Sequence, residues 1–196
     1  MTWIIVGLGN PGEEYEGTRH NTGRMALEQF AKDSDFSDWK QDSKTTATTA
    51  KGTVGKTLAV AVLPDTFMNK SGNAVLKFVK SVKAAERMVV VYDDLDLALG
   101  TMKISFDRGS GGHKGIESIA RAVKTKKFTR VRIGISPSTA AGKIKKPMGE
   151  EEVSEFILAR FKQSELSELK AIFKKASEAV ACIIAEGPMI GMNKFN

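Results

Sequence analysis

Two short apolar runs constrain this chain more than anything else in it, because neither alternates. Residues 3–8 and 88–92 carry almost no polar side chain, and each is closed by turn-forming residues, Asn10-Pro11 after the first and Asp93-Asp94 after the second. A strand without a polar side has no face to give to water, so it needs cover on both faces, as in a sheet lying between helices. The covering elements are legible between the runs. Residues 22–32 place Met25, Ala26, Gln29 and Phe30 on one side of a helix. From about Asn69, Val75, Phe78, Val79 and Val82 follow the i, i+3, i+4, i+7 rule, and Ile116, Ile119, Ala120 and Val123 form another such face. Strands interleaved with helices predict an α/β fold with a mixed, twisted β-sheet flanked by helices. No repeat or linker divides the chain, so residues 1–196 are expected to form a single domain.

The remaining segments fill in this outline. The polar stretch 33–43 reads as a loop or exposed link. Residues 44–50 and 54–63 read as strands around a turn at Lys51-Gly52-Thr53. Residues 101–106 form a further strand. Val131, Ile133 and Ile135 alternate with Arg132, Gly134 and Ser136, the pattern of a half-exposed strand. A loop rich in Ser, Ala, Gly and Lys runs to Pro147. A short helix near 151–161 and a long one over 165–186 follow, the latter stopped by Gly187-Pro188.

Several classes of protein are excluded at this stage. The longest apolar stretches are too short to span a bilayer. The N-terminus lacks the basic flank and cleavage site of a signal peptide, so a cytoplasmic location is expected. The lone Cys182 cannot form an internal disulfide and falls in a helical pattern, where it reads as a small buried hydrophobe. Two histidines and one cysteine do not make a familiar structural zinc site, and no metal or cofactor is expected. Net charge is +7, but residues 103–146 hold twelve basic residues against Asp107 and Glu117, a local +10 that leaves −3 elsewhere. Such a segment is an electrostatic footprint for a polyanion such as nucleic acid.

Two motifs fail in context. Gly7-Leu8-Gly9-Asn10-Pro11-Gly12 has the letters of a dinucleotide fingerprint, but that motif must open directly into a helix, and Pro11 removes an amide just where the phosphates would be held. Residues 50–57 loosely match a phosphate-binding P-loop, yet a strand follows them where a helix is required.

What remains is a polar constellation at predicted strand ends and helix starts: Asn10, Tyr15, His20 and Asn21; Met68 and Asn69; Asp93; and His113-Lys114. Ligands of open α/β sheets bind outside the carboxyl ends of strands, where these loops gather. A loop histidine with a carboxylate to fix its tautomer is the usual apparatus for deprotonating water.

The run Gly7-Leu8-Gly9-Asn10-Pro11-Gly12-Glu13-Glu14-Tyr15-Glu16-Gly17-Thr18-Arg19-His20-Asn21-Thr22-Gly23 resembles the opening signature of the bacterial-type peptidyl-tRNA hydrolases. Leu63-Pro64-Asp65-Thr66-Phe67-Met68-Asn69-Lys70-Ser71-Gly72 resembles that family's second motif. Val91-Tyr92-Asp93-Asp94-Leu95-Asp96-Leu97, with Gly111-Gly112-His113-Lys114-Gly115 behind it, resembles the third. Arg130-Val131-Arg132-Ile133-Gly134-Ile135 and the terminal Met192-Asn193-Lys194-Phe195-Asn196 complete a match that keeps the family's order over nearly the whole chain.

The resemblance implies a monomer that hydrolyses, without metal, the ester between a peptide and the 3′ ribose of tRNA. It implies His20 as the base that activates water and Asp93 as its orienting partner. Asn10 and Asn69 would hold peptide carbonyls and water, Tyr15 and Met68 would line the cleft, and His113 and Lys114 would contact substrate. Arg132 matches a basic position that the family uses near the end phosphate of tRNA, and Lys143, Lys145 and Lys146 add to that footprint. The chain departs from the family at two places. Ser105 stands where a lysine is expected, a role open to Lys103 or Arg108, and Lys114 stands where the family has asparagine. A lysine is longer, cationic and offers no acceptor. The competing reading is a non-enzymatic RNA-binding relative of the same fold, against which the retained His20, Asp93, Asn10 and Asn69 argue.

Overall fold

A computed structural model describes residues 2–196. Its strands are β1 (Trp3–Gly7), β2 (Lys40–Asp42), β3 (Ala47–Val54), β4 (Thr57–Pro64), β5 (Met88–Ala98), β6 (Met102–Phe106) and β7 (Thr129–Ser136), joined in one mixed sheet of order β2-β3-β4-β1-β5-β7-β6. The central pairs β4–β1, β1–β5 and β5–β7 are parallel, and antiparallel pairing is confined to the flanks. Helices α1 (Thr22–Asp33) and α6 (Leu166–Glu186) cover one face. On the other lie α2 (Ser71–Val75), α3 (Val82–Ala85) and α4 (Lys114–Val123). The two apolar runs are therefore buried on both sides. In β5, Val89 and Val91 pack toward α1 and α6, whereas Met88, Val90 and Tyr92 pack toward α2 and α4. Among the described residues, no helix is long and apolar enough to cross a membrane.

The structure revises several boundaries. The polar stretch 33–43 contains the edge strand β2, whose three residues are all exposed and show no apolar pattern. The hairpin turns at Gly55-Lys56, with Gly55 at φ 57°, and not at residues 51–53. Gly52 lies within β3, where a methyl group would overlap the Phe36 ring. The helix expected from Asn69 is broken: α2 ends at Val75, and Ser81 caps α3 by accepting from the Ala84 amide. Asp93 and Asp94 do not end β5, which continues to Ala98. The strand at 131–135 is not half exposed, because β5 and β6 flank β7 and only Arg132 in it escapes full burial. Gly187-Pro188 stops α6 and also starts α7 (Pro188–Phe195), with Pro188 in the first turn, where a missing amide does no harm. Beyond α7, the Asn196 amide bonds both backbone groups of Ile104 on the edge strand β6.

Two glycines set the position of the site. β1 and β5 run parallel in register Gly7↔Val91, so their carboxyl ends emerge side by side. A methyl group on Gly23 would overlap the Val91 carbonyl oxygen, and one on Gly7 would lie 2.6 Å from the Gly23 carbonyl. Bare backbone at both positions lets the first turn of α1 sit on the strand ends and brings the residues before it against Asp93.

Candidate active site

Asp93 is the hub. It projects from β5 at the carboxyl edge of the sheet and is 3% exposed. His20 lies in a single helical turn, Arg19–Asn21, just ahead of α1, and its Nδ1 is 3.0 and 3.1 Å from the two Asp93 oxygens. His113 Nε2 is 3.1 Å from Asp93 Oδ1. The tautomers follow from the neighbours. Nδ1 of His113 accepts the Gly115 and Ile116 amides at 3.2 and 3.3 Å, capping α4, so its proton is on Nε2 and is donated to Asp93. His20 donates Nδ1–H to the same carboxylate, which leaves its Nε2 lone pair uncommitted.

Electrostatics support this assignment. Burial by itself would lower the His20 pKa from 6.5, but the charge of Asp93 and its hydrogen bond outweigh burial and hold the imidazole above that value; Lys114 opposes them. Burial works against the Asp93 anion, yet the two histidines, by attraction and hydrogen bonding, keep its carboxyl well below the usual carboxylate range. Burial pushes the neighbouring Tyr92 phenol up to about 12, so it stays neutral. His20, Asp93 and His113 also offer metal-ligand atoms within 4.8 Å of one another. An ion there would take over the atoms that now hydrogen-bond, so it would replace this network.

A cavity of about 380 Å³ opens over the three side chains. Its opposite wall is α5 (Glu150–Leu158), which contributes Val153, Ser154 and Ile157. At the mouth, Lys114 Nζ is 3.5 Å from Glu150 Oε1 across the opening, and Lys146 pairs with Asp96 at 2.6 Å.

The other expected residues form an adjoining group outside the walls of this cavity. Asn10 and Asn21 clasp each other: the Asn10 amide donates to Asn21 Oδ1 at 2.8 Å, and Asn21 Nδ2 donates back to the Asn10 carbonyl at 3.0 Å. Asn10 Oδ1 accepts the Met68 amide at 2.9 Å, which ties the first loop to the second and leaves the Asn10 NH₂ as its free end. Tyr15 meets Phe67 edge to face at 6.3 Å. Asn69 is exposed.

The basic residues are distributed unevenly. Lys103 and Arg132 are cross-strand partners on β6 and β7, and Ser105 faces the buried Arg130. Lys103, not position 105, is therefore the exposed cation beside Arg132. Arg132 Nε donates to Asp94 at 2.7 Å. Lys143, Lys145 and Lys146 are exposed in the segment before α5. Arg108 lines a separate cleft together with Arg121, Lys124 and Lys126.

Sequence reasoning missed the counter-ions Asp94 and Asp96, the α5 wall and the buried Arg19. The aspartates were readable in principle: once β5 continues past Tyr92, Asp94 and Asp96 fall on the face that carries Arg132. The helix near 151–161 is legible in the sequence, but no pattern marks it as a wall of the site, and none marks Arg19.

Comparison with known proteins agrees with this geometry. The peptidyl-tRNA hydrolase family profile matches residues 4–196. The chain is 36% identical to a peptidyl-tRNA hydrolase of Alkaliphilus oremlandii, covering 98% of both chains. It is 37% identical to one of Dehalococcoides mccartyi, again over 98% of both. The crystal structure of peptidyl-tRNA hydrolase from Acinetobacter baumannii superposes with a TM-score of 0.87 at 32% identity, covering 100% of this chain and 94% of that one. With profile, relatives and fold all matching over essentially the full length, the chain belongs to the peptidyl-tRNA hydrolase family.

Proposed function

We propose that the chain hydrolyses the ester between a peptide and the 3′ ribose of tRNA, with His20 as general base, acting as a cytoplasmic monomer. The observation that carries this reading is the fixed tautomer of His20, whose Nδ1–H is held by Asp93 while Nε2 stays free. In the reaction, Nε2 takes a proton from water and the hydroxide adds to the ester carbonyl. The tetrahedral intermediate collapses as the imidazolium returns its proton to the departing 3′ oxygen, giving peptide acid and free tRNA. Asn10 presents N–H donors to a peptide carbonyl because its oxygen is already used by Met68. Such donors grip backbone and ignore side chains, which suits a substrate of any sequence. Lys103 and Arg132 on the strands, with Lys143, Lys145 and Lys146 before α5, serve the phosphates. A simple RNA binder of this fold would have no use for an imidazole oriented by a buried carboxylate.

The test is turnover of an N-acetylated aminoacyl-tRNA. His20→Ala is expected to lower kcat by roughly 10²–10⁴ while tRNA affinity and thermal stability stay near those of the parent. Near-full activity in that variant would overturn the reading.

A further inference from the structure

Arg19 immediately precedes the proposed base, yet it faces away from the cavity chemistry and its side chain is only 6% exposed. Its Nη2 donates to both Glu165 oxygens at 2.8 and 2.9 Å, and its Nη1 donates to the Arg160 carbonyl at 2.7 Å. The guanidinium carbon lies 4.7 Å from the ring centroid of Phe156, which is in α5, and 4.9 Å from that of Phe161. The backbone repeats the connection: the Arg19 amide donates to the Ala159 carbonyl at 3.0 Å, the Phe161 amide donates to the Gly17 carbonyl at 3.1 Å, and Thr18 bridges to Arg160. One side chain thus gathers the end of α5, the turn after it and the start of α6 onto the turn that holds His20.

That connection matters because little else seats α5. None of its residues is fully buried, and the largely exposed segment 137–149 ahead of it is bridged to itself at Ser138↔Ile144 and tied to β5 through the exposed Lys146–Asp96 pair. Yet α5 supplies Val153, Ser154 and Ile157 to the wall facing His20. A helix without a buried face depends for its position on directional contacts, and a charge-assisted, aromatic-flanked arginine provides them.

We propose that Arg19 is a positioning residue that locks the α5 wall of the cavity to the His20 turn, so that base and wall keep one register while substrate is bound. This rests on the ester-hydrolysis reading for its kinetic consequences. An error of about 1 Å in such a register can cost on the order of 10²-fold in rate.

The test compares Arg19→Gln, Arg19→Lys and Glu165→Gln in the full chain, with activity expressed per folded molecule. Arg19→Gln is expected to lower kcat/KM by about 10²-fold with the tRNA Kd unchanged, since the phosphate-binding cations are untouched. Arg19→Lys should recover part of that loss, because it keeps the charge but not the fork or the stacking. Glu165→Gln keeps an acceptor and loses the charge; its kcat/KM should fall by about tenfold, and it decides the matter if Arg19→Gln does not fold. By NMR, the His20 titration midpoint should drop toward 6.5 in the variants as the ring loosens from Asp93; Asp93, His113 and Lys114 are unaltered in all three. The proposal is overturned if Glu165→Gln and Arg19→Lys melt earlier but keep kcat/KM per folded molecule within twofold and an unmoved His20 midpoint. Absence of turnover in the unmodified chain would instead defeat the hydrolysis reading, and the NMR comparison would still decide the role of Arg19.

Discussion

On the floor of the cavity, the side chains of His20, Asp93 and His113 are 10%, 3% and 9% exposed and are bound to one another; around the rim, those of Lys114, Lys146 and Glu150 are 68%, 54% and 91% exposed, and each has one partner. The floor is buried, so its polar atoms other than the free His20 Nε2 are held by partners, and each partner fixes a proton. The rim is wet, so its charges are screened and their pairings contribute little to holding the structure. The two regions do different work: the floor sets which atom is basic, while the rim sets the field that substrate meets on the way in.

The largest effect that could break this distinction concerns Asp93. The carboxylate accepts N–H bonds from both histidines, whereas asparagine has only one acceptor oxygen. His113 cannot change tautomer cheaply, because its Nδ1 caps α4. In Asp93→Asn, His113 therefore keeps the oxygen and His20 faces an N–H donor. The His20 proton then moves to Nε2, and the lone pair that the proposed base would use is lost. Turnover is expected to fall by about 10²–10⁴, with tRNA affinity nearly unchanged. A loss below tenfold would show that neither the carboxylate charge nor its control of the tautomer contributes much to turnover. The same network carries a pH signature in stability. Asp93 is held below its ordinary pKa, so its contribution is present above the carboxylate range and lost as pH falls through it; Asp93→Asn should flatten that part of the profile.

The floor was more legible in the sequence than the rim, and for a physical reason. Buried elements are dictated by short-range pattern: the unalternating runs at 3–8 and 88–92 mark two buried strands, and because the structure pairs them in parallel, the polar residues just past them meet at one edge. His20 and Asp93 could be singled out from pattern and motif alone. Surface elements leave weaker traces. The exposed β2 has no apolar periodicity, α5 buries nothing fully, and the break between α2 and α3 depends on a serine cap inside a run that keeps helical spacing. The pairing of Arg132 with Asp94 required knowing that β5 continues through two aspartates, against their usual role as strand breakers.

A smaller effect is expected at Arg132, in the proposed phosphate footprint. Arg132 spends Nε on Asp94, leaving the rest of its guanidinium for a phosphate. Arg132→Ala should weaken tRNA binding and reduce the slope of log affinity against log salt by about 0.7–0.9, the value of one contact. Asp94→Asn should shift affinity the other way by removing the competing anion. An unchanged slope in Arg132→Ala would reduce the residue to an internal ion pair and move the footprint toward Lys103 and the lysines before α5.

The smallest effect is the most specific to this chain, because it comes from the lysine that stands where the family has asparagine. Lys114 lines the cavity mouth, yet its ammonium extends to Glu150 in solvent, so it belongs to floor and rim at once. Its charge lowers the His20 pKa against the larger pull of Asp93. In the proposed mechanism the free base is the active form, so activity is expected to rise with pH through a His20 midpoint that lies above 6.5. Removing the cation in Lys114→Asn should raise that midpoint and displace the acid limb of the pH–rate profile to higher pH. Glu150→Gln should displace it to lower pH, because it removes the anion that offsets Lys114. Both groups are well exposed, so both displacements should shrink as salt is raised toward 0.5 M, where the screening length falls to about 4 Å. Opposite shifts that fade with salt would establish that the rim tunes the base through its field alone. A Lys114→Asn limb that stays put while tRNA binding weakens would assign the lysine to the phosphate footprint instead.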